Sequence, residues 1–177
     1  MKTPMRCFFL LFTLLLAGCQ SALVRPADLD RLVGSPWHGT LSYLDYQSNS
    51  KATISSTLEV VQQPGLAQVG NDFADAGVAP GWQFRIGYPD EPKMDSAQVV
   101  RIEDGGRRLS GEKVLSRSER GDGVICLVTE ERGRDDDRPA DFRFTYNIAA
   151  RAFSIRKEVR PDGAAEFFER NCYRWTR

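Results

Sequence analysis

The segment 142–148, which has the sequence FRFTYNI, decides the fold because apolar and polar side chains alternate along its whole length. Successive side chains of a β-strand point to opposite faces of the sheet, so this alternation predicts a strand with one buried face and one wet face. An amphipathic helix would instead space its apolar residues three and four positions apart. The segment therefore predicts antiparallel β-structure.

The same period of two recurs on both sides of this segment, for example at Trp82, Phe84 and Ile86 and again at Phe153 and Ile155. Glycine-rich turn sequences lie between such stretches, as at 104–106, 121–123 and 162–163. These turns are typical of hairpins. The pattern predicts about nine strands, near 37–46, 51–62, 82–88, 97–103, 108–118, 123–132, 141–148, 152–160 and 166–175.

The short connections between these strands leave no helix long enough for a parallel crossover. We therefore expect an all-β fold, an antiparallel meander closed into a barrel, because closure removes the free sheet edges. A two-sheet sandwich is the alternative. Arg and Glu on the outward faces disfavour a barrel that spans a membrane.

The composition fits one ordered domain: the chain has 177 residues, of which 41% are hydrophobic and 27% charged. Lys and Arg together number 24, as do Asp and Glu, so the formal net charge is zero. Nucleic-acid binding is not expected, because its usual footprint is a clustered basic excess.

The N-terminus has the form of a secretory signal. Lys2 and Arg6 flank the apolar run 8–16, which is too short to span a bilayer as a helix. The run ends in Leu16-Ala17-Gly18-Cys19, which resembles the lipobox of bacterial lipoproteins. This resemblance implies cleavage between Gly18 and Cys19 and acylation of Cys19, which would anchor the protein to a lipid membrane.

The expected organisation has three parts: a signal peptide at 1–18, a lipidated tether at 19–34 and a barrel domain at 35–177. Leu29, Leu32 and Val33 lie at helical spacing before Gly34, which predicts a short helical turn in the tether. In bacterial lipoproteins an Asp after the acylated Cys typically retains the protein in the inner membrane, and here Gln20 follows. We therefore expect attachment to the outer membrane, facing the periplasm.

The two ends of the domain resemble lipocalin-like barrels. The segment 32–39, LVGSPWHG, is similar to the Gly-x-Trp opening of those proteins, in which the Trp packs across the barrel floor. The segment 170–175, RNCYRW, brings an Arg back towards that end, as the last strand does there. The body is also similar to uncharacterised proteobacterial lipoproteins, for which no activity is implied.

Cys126 and Cys172 are the cysteines that remain after Cys7 leaves with the signal and Cys19 carries lipid. In an oxidising compartment they either form a disulfide or stay as free thiols on different strands, and the sequence leaves both open. A zinc site is disfavoured, because there is no Cys-x-x-Cys motif and His38 is the only histidine. We expect no metal and no cofactor.

No catalytic constellation is recognisable, since His38 is the only His and no Gly-x-Ser-x-Gly motif occurs. We therefore expect a protein that is not an enzyme. Lys157 falls on the face predicted to be buried; it either meets the carboxylate of a ligand inside the barrel or extends to solvent at the rim, and the rim is favoured.

Two functions remain. In the first, the barrel binds a small apolar or amphipathic ligand; in the second, it is filled and docks an envelope protein. A cavity of about 300 Å³ or more would favour the first. The expected lining residues are Trp37, Tyr43, Trp82, Phe84, Tyr146, Phe153, Lys157 and Tyr173.

Overall fold

The structure is a computed structural model that describes residues 22–34, 36–64, 66–69, 72–75 and 80–177. Gly18 and Cys19, the expected cleavage and acylation site, lie outside the described residues. Among the residues described, no helix is both long enough and apolar enough to cross a membrane.

The described chain contains one α-helix, α1 (Pro26–Asp30), and twelve β-strands. The strands are β1 (Trp37–Asp45), β2 (Ser50–Gln63), β3 (Leu66–Val69), β4 (Asp72–Asp75), β5 (Gly81–Gly87), β6 (Ser96–Glu103), β7 (Arg108–Leu109), β8 (Glu112–Glu119), β9 (Ile125–Asp135), β10 (Arg138–Ile148), β11 (Ala152–Pro161) and β12 (Phe168–Thr176).

Ten of these strands form a closed antiparallel barrel in the order β1-β12-β11-β10-β9-β8-β7-β6-β5-β2, and β3 and β4 form a separate hairpin. Barrel neighbours are also neighbours in the chain, apart from the pair β2–β5 that flanks this hairpin and the pair β1–β12 that closes the barrel. The antiparallel meander barrel is confirmed. Antiparallel closure satisfies the backbone groups that an open sheet would leave at its edges.

The barrel has ten strands and not nine, because the segment 108–118 is divided into β7 and β8. Ser110 and Gly111 separate them, with φ values of 50° and 88°. A positive φ is tolerated by Gly, so the Ser-Gly pair turns the chain and ends the predicted long strand early. The predicted inward face of β10 is correct: Phe142, Tyr146 and Ile148 are buried, and the half-buried Phe144 packs against the core.

One end of the barrel, here called the floor, is closed by α1 and the residues that follow it. Leu29 and Leu32 are buried in the core. The indole nitrogen of Trp37 donates to the Leu32 carbonyl at 2.9 Å, and that of Trp82 donates to Asp30 Oδ1 at 3.0 Å. The segment 24–34 thus packs into the barrel end.

The arginine that covers Trp37 at the floor is Arg177 and does not belong to the segment 170–175. Its guanidinium carbon lies 4.3 Å from the centre of the Trp37 ring, and its two terminal nitrogens donate to the carbonyls of Val33 and Arg31. The expected floor arginine is therefore correct in kind but wrong in position. Arg170 lies at the opposite end, because β12 runs towards the floor from residue 168.

The long connection between β2 and β5 leaves the barrel at the floor. Gln63 pairs with Gly81 there, next to Trp82 and its bond to Asp30. The backbone of β3 and β4 forms a four-residue hairpin within this connection.

Cys126 and Cys172 are free thiols, so the disulfide that the sequence left open is not formed in this structure. Cys126 is in register with Asn147, Asn147 with Ser154, and Ser154 with Arg174, so three strand spacings separate β9 from β12. That separation is about 14 Å, whereas bridged cysteines need Cα atoms within about 7 Å.

Candidate ligand-binding cavity

The barrel encloses a cavity of about 410 Å³ between the floor and the opposite end, which is called the mouth. Leu29 of α1 lies at its base, and apolar side chains from β5, β6, β10 and β11 form most of its wall. The apolar and aromatic lining residues are Leu29, Phe84, Ile86, Val99, Val100, Leu109, Phe144, Tyr146, Phe153, Ile155 and Tyr173. Side chains therefore do not fill the barrel interior completely.

The cavity reaches the surface through a notch in the wall between β6 and β9. The β7–β8 hairpin is short at this end: β7 pairs with β6 only at Ile102 and Glu103, and β8 pairs with β9 only as far as Glu130. Beyond these pairs, the exposed residues Gln98 and Glu131 line the cavity. The notch thus offers an entrance from the side.

A polar cluster of Glu112, Thr129 and Tyr146 interrupts the apolar wall. The Tyr146 hydroxyl donates to Glu112 at 3.0 Å from Oε1 and 2.8 Å from Oε2, and the Thr129 hydroxyl donates to Oε2. Tyr146 and Thr129 are buried. Burial raises the pKa of the Glu112 carboxyl from 4.5 to about 7, although both hydroxyls stabilise its charged form. The cavity therefore carries a carboxyl that exchanges its proton near neutral pH.

A β-bulge at Leu115 explains how Glu112 comes to face the interior. The pairing with β9 shifts between Val114 and Ser116, which leaves Leu115 as the extra residue. A bulge adds one residue to a strand and reverses the alternation beyond it. Glu112 consequently faces the cavity while Arg117, five positions later, faces the floor.

Lys157 projects into the upper part of the barrel and lies half-buried between the rim and the interior. Its Nζ is 3.7 Å from the centre of the Phe142 ring and 5.8 Å from that of Phe144. Burial lowers the pKa of its ammonium group. The side chain thus lies against aromatic rings, and the expected extension into solvent at the rim is only partly realised.

The mouth beside Lys157 is bordered by a smaller cavity of about 300 Å³ lined by Tyr43, Asp135 and Arg170, among others. The Tyr46 hydroxyl donates to Asp135, and Arg170 Nε lies 3.5 Å from Asp135 Oδ1. The pairing of β11 with β12 shifts by one residue between Lys157 and Glu158, which leaves Arg170 as the extra residue of β12. The tip of the β9–β10 hairpin therefore contacts the β1–β2 turn across part of the mouth.

Five of the eight predicted lining residues line the main cavity: Phe84, Tyr146, Phe153, Lys157 and Tyr173. Tyr43 lines the smaller cavity. Trp37 and Trp82 do not line either cavity, because their indole nitrogens are bonded within the floor and their rings are buried there. The sequence did not identify the other polar lining residues, which are Ser96, Gln98, Ser110, Glu112, Glu131 and Asn171. Glu112 lies two positions before Val114, and this period of two along the strand could have identified Glu112 as an inward-facing residue.

Among solved structures, the fold is similar to the crystal structure of Rv2717c from M. tuberculosis. The two share 16% sequence identity with a TM-score of 0.50, and the match covers 87% of this chain and 98% of the other. No family model matches the chain, and no curated protein matches it. At this identity the likeness shows the fold alone: a small antiparallel β-barrel.

Proposed function

We propose that this protein is a lipid-anchored binding protein that holds one small amphipathic molecule inside its barrel, in a non-catalytic role. The observation that carries the proposal is the mainly apolar cavity of about 410 Å³ inside the barrel. Ligand pockets commonly measure about 300–1,000 Å³ and combine apolar walls with a few polar groups. A barrel that acts only by docking a partner on its outside has no need of such a space.

The position of the tether supports anchoring through Cys19. The Val24 backbone N–H donates to the Gly106 carbonyl at 3.0 Å, which fixes the start of the described chain at the floor. Cys19 precedes Leu23 by four residues, a span of at most about 14 Å at roughly 3.3–3.6 Å per residue. An acylated Cys19 would hold the floor close to the membrane and turn the mouth towards the periplasm. We propose the outer membrane as the site of attachment.

Native mass spectrometry of the protein purified from its own envelope tests the binding proposal. We expect a bound small molecule that is lost on unfolding. The variant Ile155→Trp would fill the cavity that Ile155 lines, whereas Thr145→Trp, on the alternate face of β10, serves as its matched control. We expect the first to purify without ligand and the second to retain it. Equal ligand occupancy in both folded variants would contradict binding in the cavity.

Cys19→Ala tests the anchor. Acylation of Cys19 should be visible as incorporation of labelled palmitate, and the variant should incorporate none and remain as an uncleaved precursor. Cys7→Ala is the control, because Cys7 lies within the expected signal peptide. Normal maturation and membrane fractionation of the Cys19→Ala protein would overturn this part of the proposal.

A further inference from the structure

In the part of the chain that the structure describes, the carboxyl of Glu112 has no ion-pair partner. Among the described residues, the ion pairs do not include Glu112. Its hydrogen-bond donors, Tyr146 and Thr129, are both neutral hydroxyls. A carboxylate removed from water is costly unless it is paired, so the ionised form of Glu112 would gain stability from a cationic ligand.

The walls around Glu112 suit an organic cation. Phe84, Phe144, Phe153 and Tyr173 line the same cavity, and aromatic faces attract cations through their negative quadrupoles. Five aromatic residues, including Tyr146, thus share a space of about 410 Å³ with a carboxyl.

The charged groups that line the cavity carry a net negative charge when all of them are ionised. Glu131 of β9 and Lys157 of β11 line it together with Glu112, so carboxyl groups outnumber ammonium groups by two to one. The Lys157 ammonium is engaged by the ring of Phe142, which does not line this cavity. Among the described residues, Lys157 forms no ion pair with Glu112, although its charge favours the ionised form of that carboxyl. The Glu112 carboxyl is therefore open to a ligand.

We infer that the cavity selects amphipathic amines and related organic cations, with the ammonium group paired to Glu112 and the apolar part among the aromatic rings. This inference rests on the proposed binding function. It assigns to Glu112 the role of recognising the headgroup of the ligand.

Three probes with the same ten-carbon chain test the assignment: decylammonium, decanol and decanoate, each titrated calorimetrically below its micelle concentration. We expect decylammonium to bind the wild-type protein at least about tenfold more tightly than decanol, and decanoate to bind most weakly. Glu112→Gln should abolish the preference for decylammonium and leave decanol binding unchanged. Glu130→Gln is the matched control, because Glu130 pairs with Arg143 outside the cavity.

Measurement of probe affinity against pH tests the same inference on the wild-type protein, without a variant. Glu131 of β9, Tyr146 of β10 and Lys157 of β11 line the cavity together with Glu112 and influence the pKa of its carboxyl. Protonation of Glu112 removes the partner of the ammonium group, so decylammonium affinity should fall between about pH 8 and about pH 5.5 while decanol affinity stays constant. Tighter binding of decanoate, or equal binding of all three probes, would overturn the inference and leave ligand binding itself intact. If no probe binds, the proposed function fails as well.

Discussion

Arg117 of β8 and Asp28 of α1 form a two-pronged ion pair beneath the barrel. Arg117 Nε lies 2.8 Å from Asp28 Oδ2, and Nη2 lies 2.7 Å from Oδ1. The two side chains are only 7% and 3% exposed. Asp28 Oδ2 also accepts the backbone N–H of Arg25 at the start of α1, at 2.9 Å. The Asp28 carboxylate thus caps the start of α1 and also joins the helix to β8 of the barrel wall.

Removal of one partner of this pair should be strongly destabilising. Asp28→Asn removes both short contacts of the buried Arg117 guanidinium and leaves it the longer contact with Glu119, at 3.5 Å from Nη2. Loss of one member of a buried pair costs about 3–5 kcal/mol. Glu59→Gln breaks the exposed pair between Glu59 and Arg85, which should cost about 1 kcal/mol or less. Urea denaturation of both variants measures the difference. Equal midpoints would mean that the ion pair contributes nothing to closing the floor.

Gly39 should tolerate no side chain. A β-carbon built at Gly39 would lie 1.8 Å from the backbone oxygen of Arg174 on β12, so Gly39→Ala must displace the β1–β12 ladder that closes the barrel. Overpacking of this kind costs about 1–3 kcal/mol and sometimes more. Gly121→Ala is the matched control, because a β-carbon there would have no atom of the described residues within 4 Å apart from its own chain neighbours. Thermal denaturation followed by circular dichroism should show a lower midpoint for the first variant only.

The ionisation of Glu112 should make stability depend on pH. Because burial raises the pKa of this carboxyl from 4.5 to about 7, the folded state holds the proton that the unfolded state has released between these values. The free energy of unfolding should therefore decrease as pH rises from about 4.5 to about 7 and then level off. In Glu112→Gln this component disappears, and the difference between the two proteins isolates it from other titrations. A parallel pH dependence in both proteins would show that Glu112 titrates normally.

The two cysteines should react as free thiols. In denaturant without reductant, a thiol reagent should label both Cys126 and Cys172, whereas a disulfide would protect both. In the folded protein Cys172 should react more slowly, because burial raises the pKa of its thiol and only the thiolate is nucleophilic. Mass spectrometry of labelled peptides distinguishes the two sites. Cys126→Ser, which leaves Cys172 unchanged, is the control for the slow phase.

The site could be predicted from the sequence only in part, and the failures have definite causes. Phe84, Tyr146, Phe153 and Tyr173 were expected to line the interior, and they do, because an alternating strand fixes which side chains face inward. Trp37 and Trp82 obey the same alternation, yet they lie in the floor. The alternation specifies the inner face of a strand but not the height along the barrel.

The sequence alone determined the antiparallel barrel, its inward faces and the kind of residue that closes its floor, since a period of two and short turns are local properties of the chain. Only the tertiary structure decided that the barrel interior contains a cavity, that Glu112 and Arg117 both face inward on either side of the Leu115 bulge, and that Cys126 and Cys172 lie three strands apart. These features depend on register and on packing between distant strands. A bulge arises where two paired strands differ in their number of residues, and a cavity arises where side chains from several strands leave interior volume unfilled. Neither can be read from the sequence pattern of one strand.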